Sequence, residues 1–271
     1  MVICELKKEI ESLLGIRDAQ LLITGMLSLS VTEYAMNQNM IIDHDTALTI
    51  RQCANRILSG EPLQYVVGYT EFMSLPFNVG PGVLIPRQDT ETLVETAISL
   101  IGDKSVRVLD IGTGSGCVAI SIKHYCPNAE VTSIDISSAA LDIAKKNAGL
   151  NNTDVRFMQY DIMNSSPEEK FDIIVSNPPY IPTNDINSLS TTVKDHEPLN
   201  ALDGGIDGLD FYRHIAQIAP MILSPNGNII FEVGHDQASD VCDILAHNFK
   251  DITKLSDLCG IERVVCAKLS I

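Results

Sequence analysis

The chain has 271 residues, 45% of them hydrophobic and 20% charged, enough to bury a full core and to build one large domain beside a small one. Its formal net charge of −16 opposes binding to phosphate backbones, which is driven by Lys and Arg, so a large DNA substrate is disfavoured while a basic protein partner is compatible. No apolar run approaches the ~20 residues of a membrane span; Glu5, Lys7 and Lys8 interrupt any signal-peptide core, and seven dispersed cysteines with no C-x-x-C pair predict buried free thiols, no metal and a soluble cytoplasmic protein.

From Val2 to about Gly60 apolar residues recur at helical spacing, as in Leu6, Ile10 and Leu13 or Ala47, Ile50, Cys53 and Ile57. Residues 1–64 are therefore expected to form a small helical domain, with Gly60 and Pro62 stopping its last helix. Between 65 and 85 the pattern changes to Val66, Val67, Phe72, Phe77 and Val79 among turn-forming glycines and prolines, which predicts a β-hairpin connector.

Residues 86–271 read as one α/β domain. Strands are expected at Val106–Ile111, Val131–Asp135, Asp154–Gln159, Phe171–Ser176 and Asn228–Val233, and helices at Val118–His124, Ser138–Leu150, Phe211–Ile218 and Gln237–Phe249. Strand and helix alternate as in a doubly wound parallel sheet. The tail, Ile252–Ser256 and Glu262–Leu269 around Gly260, predicts a closing antiparallel hairpin.

The first of these strands runs into Gly112-Thr113-Gly114-Ser115-Gly116, and a helix follows. Glycines there let the backbone turn tightly and approach a ligand closely. Asp135 ends the next strand, where a carboxylate accepts hydrogen bonds from two ribose hydroxyls. Dehydrogenases share a glycine loop with a downstream acid, but here the spacing is G-x-G-x-G, and Cys117 stands where the dinucleotide fingerprint places its third glycine. Asp110 adds a carboxylate suited to the amino end of a methionine moiety, so the ligand read from these residues is S-adenosylmethionine. Asp161 is expected to accept from the adenine amino group, with Ile162 covering the ring; an Asp after a strand is often only a cap.

The fourth strand delivers Asn177-Pro178-Pro179-Tyr180 at its carboxyl end. In the order 3-2-1-4-5 that strand lies beside the first, so the tetrapeptide borders the glycine loop. An amide or aromatic-amine nitrogen is a poor nucleophile because its lone pair is delocalised. The Asn177 side-chain oxygen and the Pro178 carbonyl can accept its two N–H hydrogens and aim the lone pair at a methyl donor. The two prolines fix φ and stiffen the loop, and Tyr180 offers a flat face for a planar group. The expected catalytic residues are thus Asn177, Pro178 and Tyr180, with Pro179 completing the acceptor site and Asn177 near the cofactor as well.

The chain resembles the protein-(glutamine-N5) methyltransferases that modify peptide chain release factors. The resemblance spans nearly the whole chain through Glu61-Pro62-Leu63-Gln64-Tyr65, Leu84-Ile85-Pro86-Arg87, Asp89-Thr90-Glu91, the loop Gly112–Gly116, Asn177–Tyr180, and the run from Leu202 to Tyr212. It implies a Rossmann-like methyltransferase sheet, a helical N-terminal domain that docks the release factor, and methyl transfer to the glutamine of a Gly-Gly-Gln loop. It carries cofactor binding onto Gly112, Thr113, Gly114, Ser115, Gly116 and Asp135, and glutamine binding onto Asn177–Tyr180. Gln88 stands where the family usually has a second proline, and Ile162 where many members have an aromatic residue; both bear on affinity more than on activity.

The polar stretch from Thr183 to Asn200 is expected to order over the substrate, with Glu197 as either part of that closure or a solvated charge. Arg87 and Glu91 are expected to pair and brace the hairpin. Competing functions are an amino-methyltransferase of nucleic-acid bases, which usually needs a basic surface or a target-recognition domain; a nucleotide-binding oxidoreductase, disfavoured by the glycine spacing; and a binding module without catalysis.

Overall fold

A computed structural model describes residues 2–270. Two compact units emerge: one comprises the chain up to Tyr69 with Val79–Pro81 and Ser190–His196, and the other the remainder.

In the first unit, α1 (Ile3–Leu14), α2 (Ile16–Leu27), α3 (Val31–Met36) and α4 (His44–Leu58) bury the periodic apolar residues, with Leu6, Ile10, Leu22, Ile23 and Ile50 inaccessible to solvent. The starts of α3 and α4 are chemically marked. Ser30 and Glu33 form a capping box, and Asp43 accepts from the Thr46 amide at 2.8 Å. Beyond Pro62 the chain makes one further short helix, α5 (Leu63–Val67), where extended structure was expected from Tyr65 onward. Five residues are too few for a visible apolar period, so the β-branched Val66 and Val67 dominated the reading.

The second unit opens with a hairpin, β1 (Tyr69–Phe72) and β2 (Leu75–Asn78). Its two-residue turn, Met73-Ser74, has positive φ at both positions (50° and 58°), the primed geometry that matches strand twist. Asn147 fixes the hairpin to the sheet domain, accepting from the Asn78 amide at 2.7 Å and donating to its carbonyl at 2.9 Å.

After α6 (Glu91–Ile101) come β3 (Arg107–Ile111), α7 (Cys117–Tyr125), β4 (Glu130–Asp135), α8 (Ser138–Leu150), β5 (Arg156–Gln159) and β6 (Phe171–Ser176). Next are the short α9 (Thr191–Lys194), which belongs to the first unit, and then α10 (Asp210–Ile222), β7 (Leu223–Glu232), α11 (Ala238–Leu245), β8 (Phe249–Ser256) and β9 (Glu262–Leu269). The sheet order is β5-β4-β3-β6-β7-β9-β8, parallel through β7 and antiparallel at β9 and β8. This is the doubly wound sheet expected from the sequence.

Alternation along the strands divides the core between the two faces. Val108, Ile173, Val175 and Ile230 pack with α6, α7 and α8, whereas Leu109, Ile174, Ile229 and Phe231 pack with α10 and α11. Phe249 opens β8 instead of closing a helix, because α11 stops at Leu245. All seven cysteines are free, with Cys53, Cys126 and Cys266 buried and Cys259 exposed, against the expectation of burial throughout. Among the described residues no helix is long and apolar enough to cross a membrane.

Candidate active site

The carboxyl ends of β3, β4 and β6 meet at one cleft. Gly112, Thr113, Gly114, Ser115, Asp135, Asp161, Ile162, Asn177, Pro178 and Pro179 all line it, together with Thr90 and Arg87. Gly116 and Tyr180 are not among its lining residues.

Gly112, Gly114 and Gly116 have φ of 87°, 52° and 84°, values that residues with a Cβ rarely adopt. The Gly112 and Thr113 amides donate to the Ile134 carbonyl at 2.9 and 3.1 Å, and the Gly114 amide donates to Asp135 Oδ2 at 2.9 Å. These bonds hold the loop in its own shape against the end of β4. Gly116 acts differently from the other two. A Cβ there would lie 2.8 Å from Ile120 Cδ1 and 3.0 Å from Ala144 Cβ, so its role is the close approach of α7 to α8.

Asp135 is half-buried, and its Oδ1 accepts from the Ser137 amide at 2.8 Å. Each oxygen thus holds one backbone N–H and keeps lone-pair capacity for a ligand in the cleft. Asp161 accepts from the Met163 amide at 3.0 Å and from Asn164 Nδ2 at 2.7 Å, so it caps a turn while lining the cleft. Ile162 is buried beside it, presenting an aliphatic wall.

Asp110 is not among the cleft-lining residues. It lies beneath the glycine loop at 1% exposure, where Ser133 Oγ donates to its Oδ2 at 2.6 Å and itself contacts Thr113 Oγ1. Burial pushes this carboxyl up to about 7, against the opposing Ser133 hydrogen bond. Because the folded-state value is raised, the stability tied to Asp110 is full below its ordinary value of 3.8 and is lost as pH rises towards about 7. Glu232, also raised to about 7, acts with the same sign. Asp110→Asn is therefore expected to reduce, without abolishing, the fall in melting temperature between about pH 5 and about pH 8. An unchanged slope would show that Asp110 does not contribute to it.

The acceptor tetrapeptide leaves β6 directly beside the glycine loop. Ser176 Oγ donates to the Ile111 carbonyl at 2.7 Å, and a Cβ on Gly112 would stand 3.8 Å from the Asn177 carbonyl oxygen. Asn177 Nδ2 donates to Thr90 Oγ1 at 3.3 Å, which turns the amide oxygen away from that hydroxyl. Tyr180 packs against the core cluster that contains Tyr212 and Phe231, and burial pushes its phenol up to about 12. It therefore remains protonated and acts in this structure as a buttress; the flat face expected for stacking is not part of the cleft lining.

Two segments support the tetrapeptide from behind. Gln237 accepts from the Gly234 amide at 3.0 Å and donates Nε2 to the Tyr180 carbonyl at 2.9 Å. The Asp203–Gly208 turn ties back through Gly204 N to the Ile181 carbonyl at 2.9 Å and Thr183 N to the Gly205 carbonyl at 2.9 Å. The sequence reading assigned no role to Thr90, Glu232 or Gln237. The signal for Glu232 was present: one carboxylate closing the apolar run Ile229-Ile230-Phe231, at the strand end where ligands bind in such sheets.

Arg87 pairs with Glu197 rather than Glu91, at 2.5 Å between Nη2 and Oε1. Glu197 is buried at 5% exposure, so it is not a solvated loop charge, and burial pushes its carboxyl up against the pull of Arg87. Glu91 instead accepts the Met73 amide at 2.7 Å and braces the hairpin turn without Arg87. The polar stretch 183–200 carries a 3-10 turn, Thr183–Ser188, and helix α9. Among the described residues no three His, Cys, Asp or Glu side chains gather as a metal set.

Comparison with known proteins gives this geometry a lineage. The Methyltransferase small domain model matches residues 88–193, and the PrmC N-terminal domain model matches residues 9–68. The release factor glutamine methyltransferase of Geobacter sulfurreducens is 38% identical, covering 94% of this chain and 91% of the relative. That of Thermodesulfovibrio yellowstonii is 40% identical over 94% and 93%. Among solved structures, a methyltransferase from Pyrococcus furiosus superposes with a TM-score of 0.55 at 17% identity, over 82% of this chain and 98% of that one. A 16S rRNA N2 G1207 methyltransferase from Thermus thermophilus, determined with AdoMet and guanosine, gives 0.54 at 18% identity over 74% and 49%. The structural likenesses establish the methyltransferase fold, and the sequence relatives carry the finer statement: the chain belongs to the release factor glutamine methyltransferase family.

Proposed function

We propose that this protein transfers methyl from S-adenosylmethionine to the side-chain amide nitrogen, N5, of the glutamine in the Gly-Gly-Gln loop of peptide chain release factors. The observation that carries the reading is the placement of Asn177, Pro178 and Pro179 on the same cleft as Gly112–Ser115 and Asp135. The donor set suits the cofactor: a carboxylate with lone pairs left for ribose hydroxyls, a glycine loop permitting close approach, and the aliphatic Ile162 for a flat ring. When bound, S-adenosylmethionine supplies an electrophilic methyl on a sulfonium.

The remaining chemistry belongs to the chain. Asn177 Oδ1 and the Pro178 carbonyl accept the two amide hydrogens of the glutamine and present its nitrogen along one direction. Two fixed proline φ angles keep those acceptors in place, so little ordering is required at each turnover. No strong base is needed before attack, because methylation leaves the amide nitrogen cationic with both hydrogens still on it, and this strongly acidic species loses one proton to an accepting oxygen or to solvent to give the neutral N-methyl amide. Catalysis rests on orientation and on acceptors preset for the charge that develops on nitrogen. The helical segment 1–64 docks the release factor in the cytoplasm, and the acidic chain complements a basic partner.

The test is transfer of labelled methyl to purified release factor, to a Gly-Gly-Gln peptide and to DNA. Label on release factor is expected; label on DNA with none on release factor would overturn the reading.

A further inference from the structure

We propose that Glu232 is a positioning residue that sets the polarity of the Asn177 side-chain amide, holding its NH2 end on acceptors so that Oδ1 faces the substrate nitrogen. The inference rests on the amide-clamp reading of Asn177 and deepens it.

Register makes the two residues neighbours. Ser176 of β6 pairs in parallel with Phe231 of β7, so Asn177 and Glu232 leave the sheet side by side. Glu232 is 2% exposed, and its main chain is held by the Tyr212 hydroxyl, which donates to its carbonyl at 2.8 Å. The Thr90 and Asn177 side chains are the polar neighbours that favour its ionised form against burial, and Oε2 is buried without a partner. Thr90 is itself buried and lies 3.3 Å from Asn177 Nδ2.

An amide has nearly the same shape when flipped, and a hydroxyl both donates and accepts. Thr90 alone therefore cannot decide which end of Asn177 faces the cleft. A carboxylate only accepts. With Glu232 ionised, the Thr90 hydroxyl donates to it and turns its oxygen lone pairs towards Asn177 Nδ2, and the amide has one favourable orientation. With Glu232 protonated, its O–H can donate to Asn177 Oδ1, and the acceptor is withdrawn from the cleft.

Other charged or titratable groups facing Glu232 are Asp89 and Arg263, with the Tyr180 and Tyr212 phenols and the Cys117 thiol around it. Arg263 is shared with Asp89 at 3.1 Å and Asp257 at 3.3 Å, which limits its pull on Glu232. Burial is the largest influence and raises this carboxyl to about 7.

The measurement is kcat and KM for methyl transfer to release factor as a function of pH, beside calorimetric affinity for S-adenosylhomocysteine. In the wild type, kcat is expected to rise through about pH 7. In Glu232→Gln, kcat at about pH 8 is expected to fall about tenfold or more, with the rise near neutrality removed and product affinity unchanged. Thr90→Val, which removes the relay hydroxyl, is expected to lower kcat comparably even if Glu232→Gln fails to fold. Wild-type rate and pH profile in Glu232→Gln, or full kcat in Thr90→Val, would overturn the proposal. Asn177→Ala separates the two failures: its inactivity alongside a normal Glu232→Gln would leave the clamp standing and remove only its positioning residue.

Discussion

Asn177→Ala is expected to lower kcat by about 10³-fold or more while changing S-adenosylhomocysteine affinity by less than about tenfold. The reason is the division of labour at the cleft. The glycine loop and Asp135 are shaped by bonds to Ile134, Gly114 and Ser137, none of which involves the Asn177 side chain. On the proposed clamp, removing that side chain deletes an acceptor for the substrate amide and leaves the Pro178 carbonyl alone, which fixes one hydrogen but not the direction of the lone pair. A delocalised nitrogen held by one hydrogen bond samples many orientations, and the loss falls on turnover more than on binding. Asn177→Asp is expected to retain an acceptor but to bring a second, half-buried carboxyl beside the buried Glu232, and to stay well below wild type. Single-turnover rates with saturating release factor, set beside calorimetry, check both variants.

Gly208→Ala is expected to be the most damaging substitution outside the cleft lining. Gly208 has φ of 75°, and an added Cβ would press on the Tyr180 carbonyl oxygen and come within 2.7 Å of Gln237 Nε2. That oxygen is the atom Gln237 holds at 2.9 Å, so the substitution strains the backbone and displaces the bond that fixes the end of the tetrapeptide. Gly204 faces the same crowding, with a Cβ 2.7 Å from the Pro179 carbonyl oxygen and 2.8 Å from Tyr180 Cα. The atoms met at Gly204 and the Tyr180 oxygen met at Gly208 are all backbone. Strain of this kind costs about 1–3 kcal/mol at the residue. The displaced acceptors are expected to lower kcat by about 10²-fold. A folded Gly208→Ala with wild-type kcat would show that the glycine-rich turn does not brace the acceptor loop. Thermal melting read alongside kinetics separates the loss of fold from the loss of alignment.

The parts of this fold visible in the sequence are those written in short-range chemistry. Strand β3 entering Gly112–Gly116, Asp135 ending β4 and Asn177–Tyr180 ending β6 are local patterns, and strand order follows from alternating strands and helices. What escaped reading depends on contacts distant in the chain. Asp110 looked available to a ligand because it precedes the glycine loop, yet its side chain lies under that loop against Ser133 of the neighbouring strand. Tyr180 stood in a catalytic motif, but it packs against the core cluster on one face of the sheet, to which α10, β7 and α11 contribute. Arg87 found its partner in Glu197, 110 positions along the chain, rather than in nearby Glu91. Thr90 and Glu232 act through a register that only the assembled sheet defines. Local spacing specifies which elements form and which residues end them; the neighbours of each side chain are set by packing of the whole sheet.

The central claim is that a preset pair of acceptors directs methyl to one amide nitrogen. It is tested most directly by locating the methyl group. Release factor incubated with the protein and S-adenosylmethionine is digested and sequenced by mass spectrometry, with a substrate carrying Glu in place of the Gly-Gly-Gln glutamine and with Asn177→Ala as controls. A single added methyl on that glutamine side chain, absent from both controls, is the expected result. Methyl on any other residue, or on the same glutamine at full rate with Asn177→Ala, would contradict it.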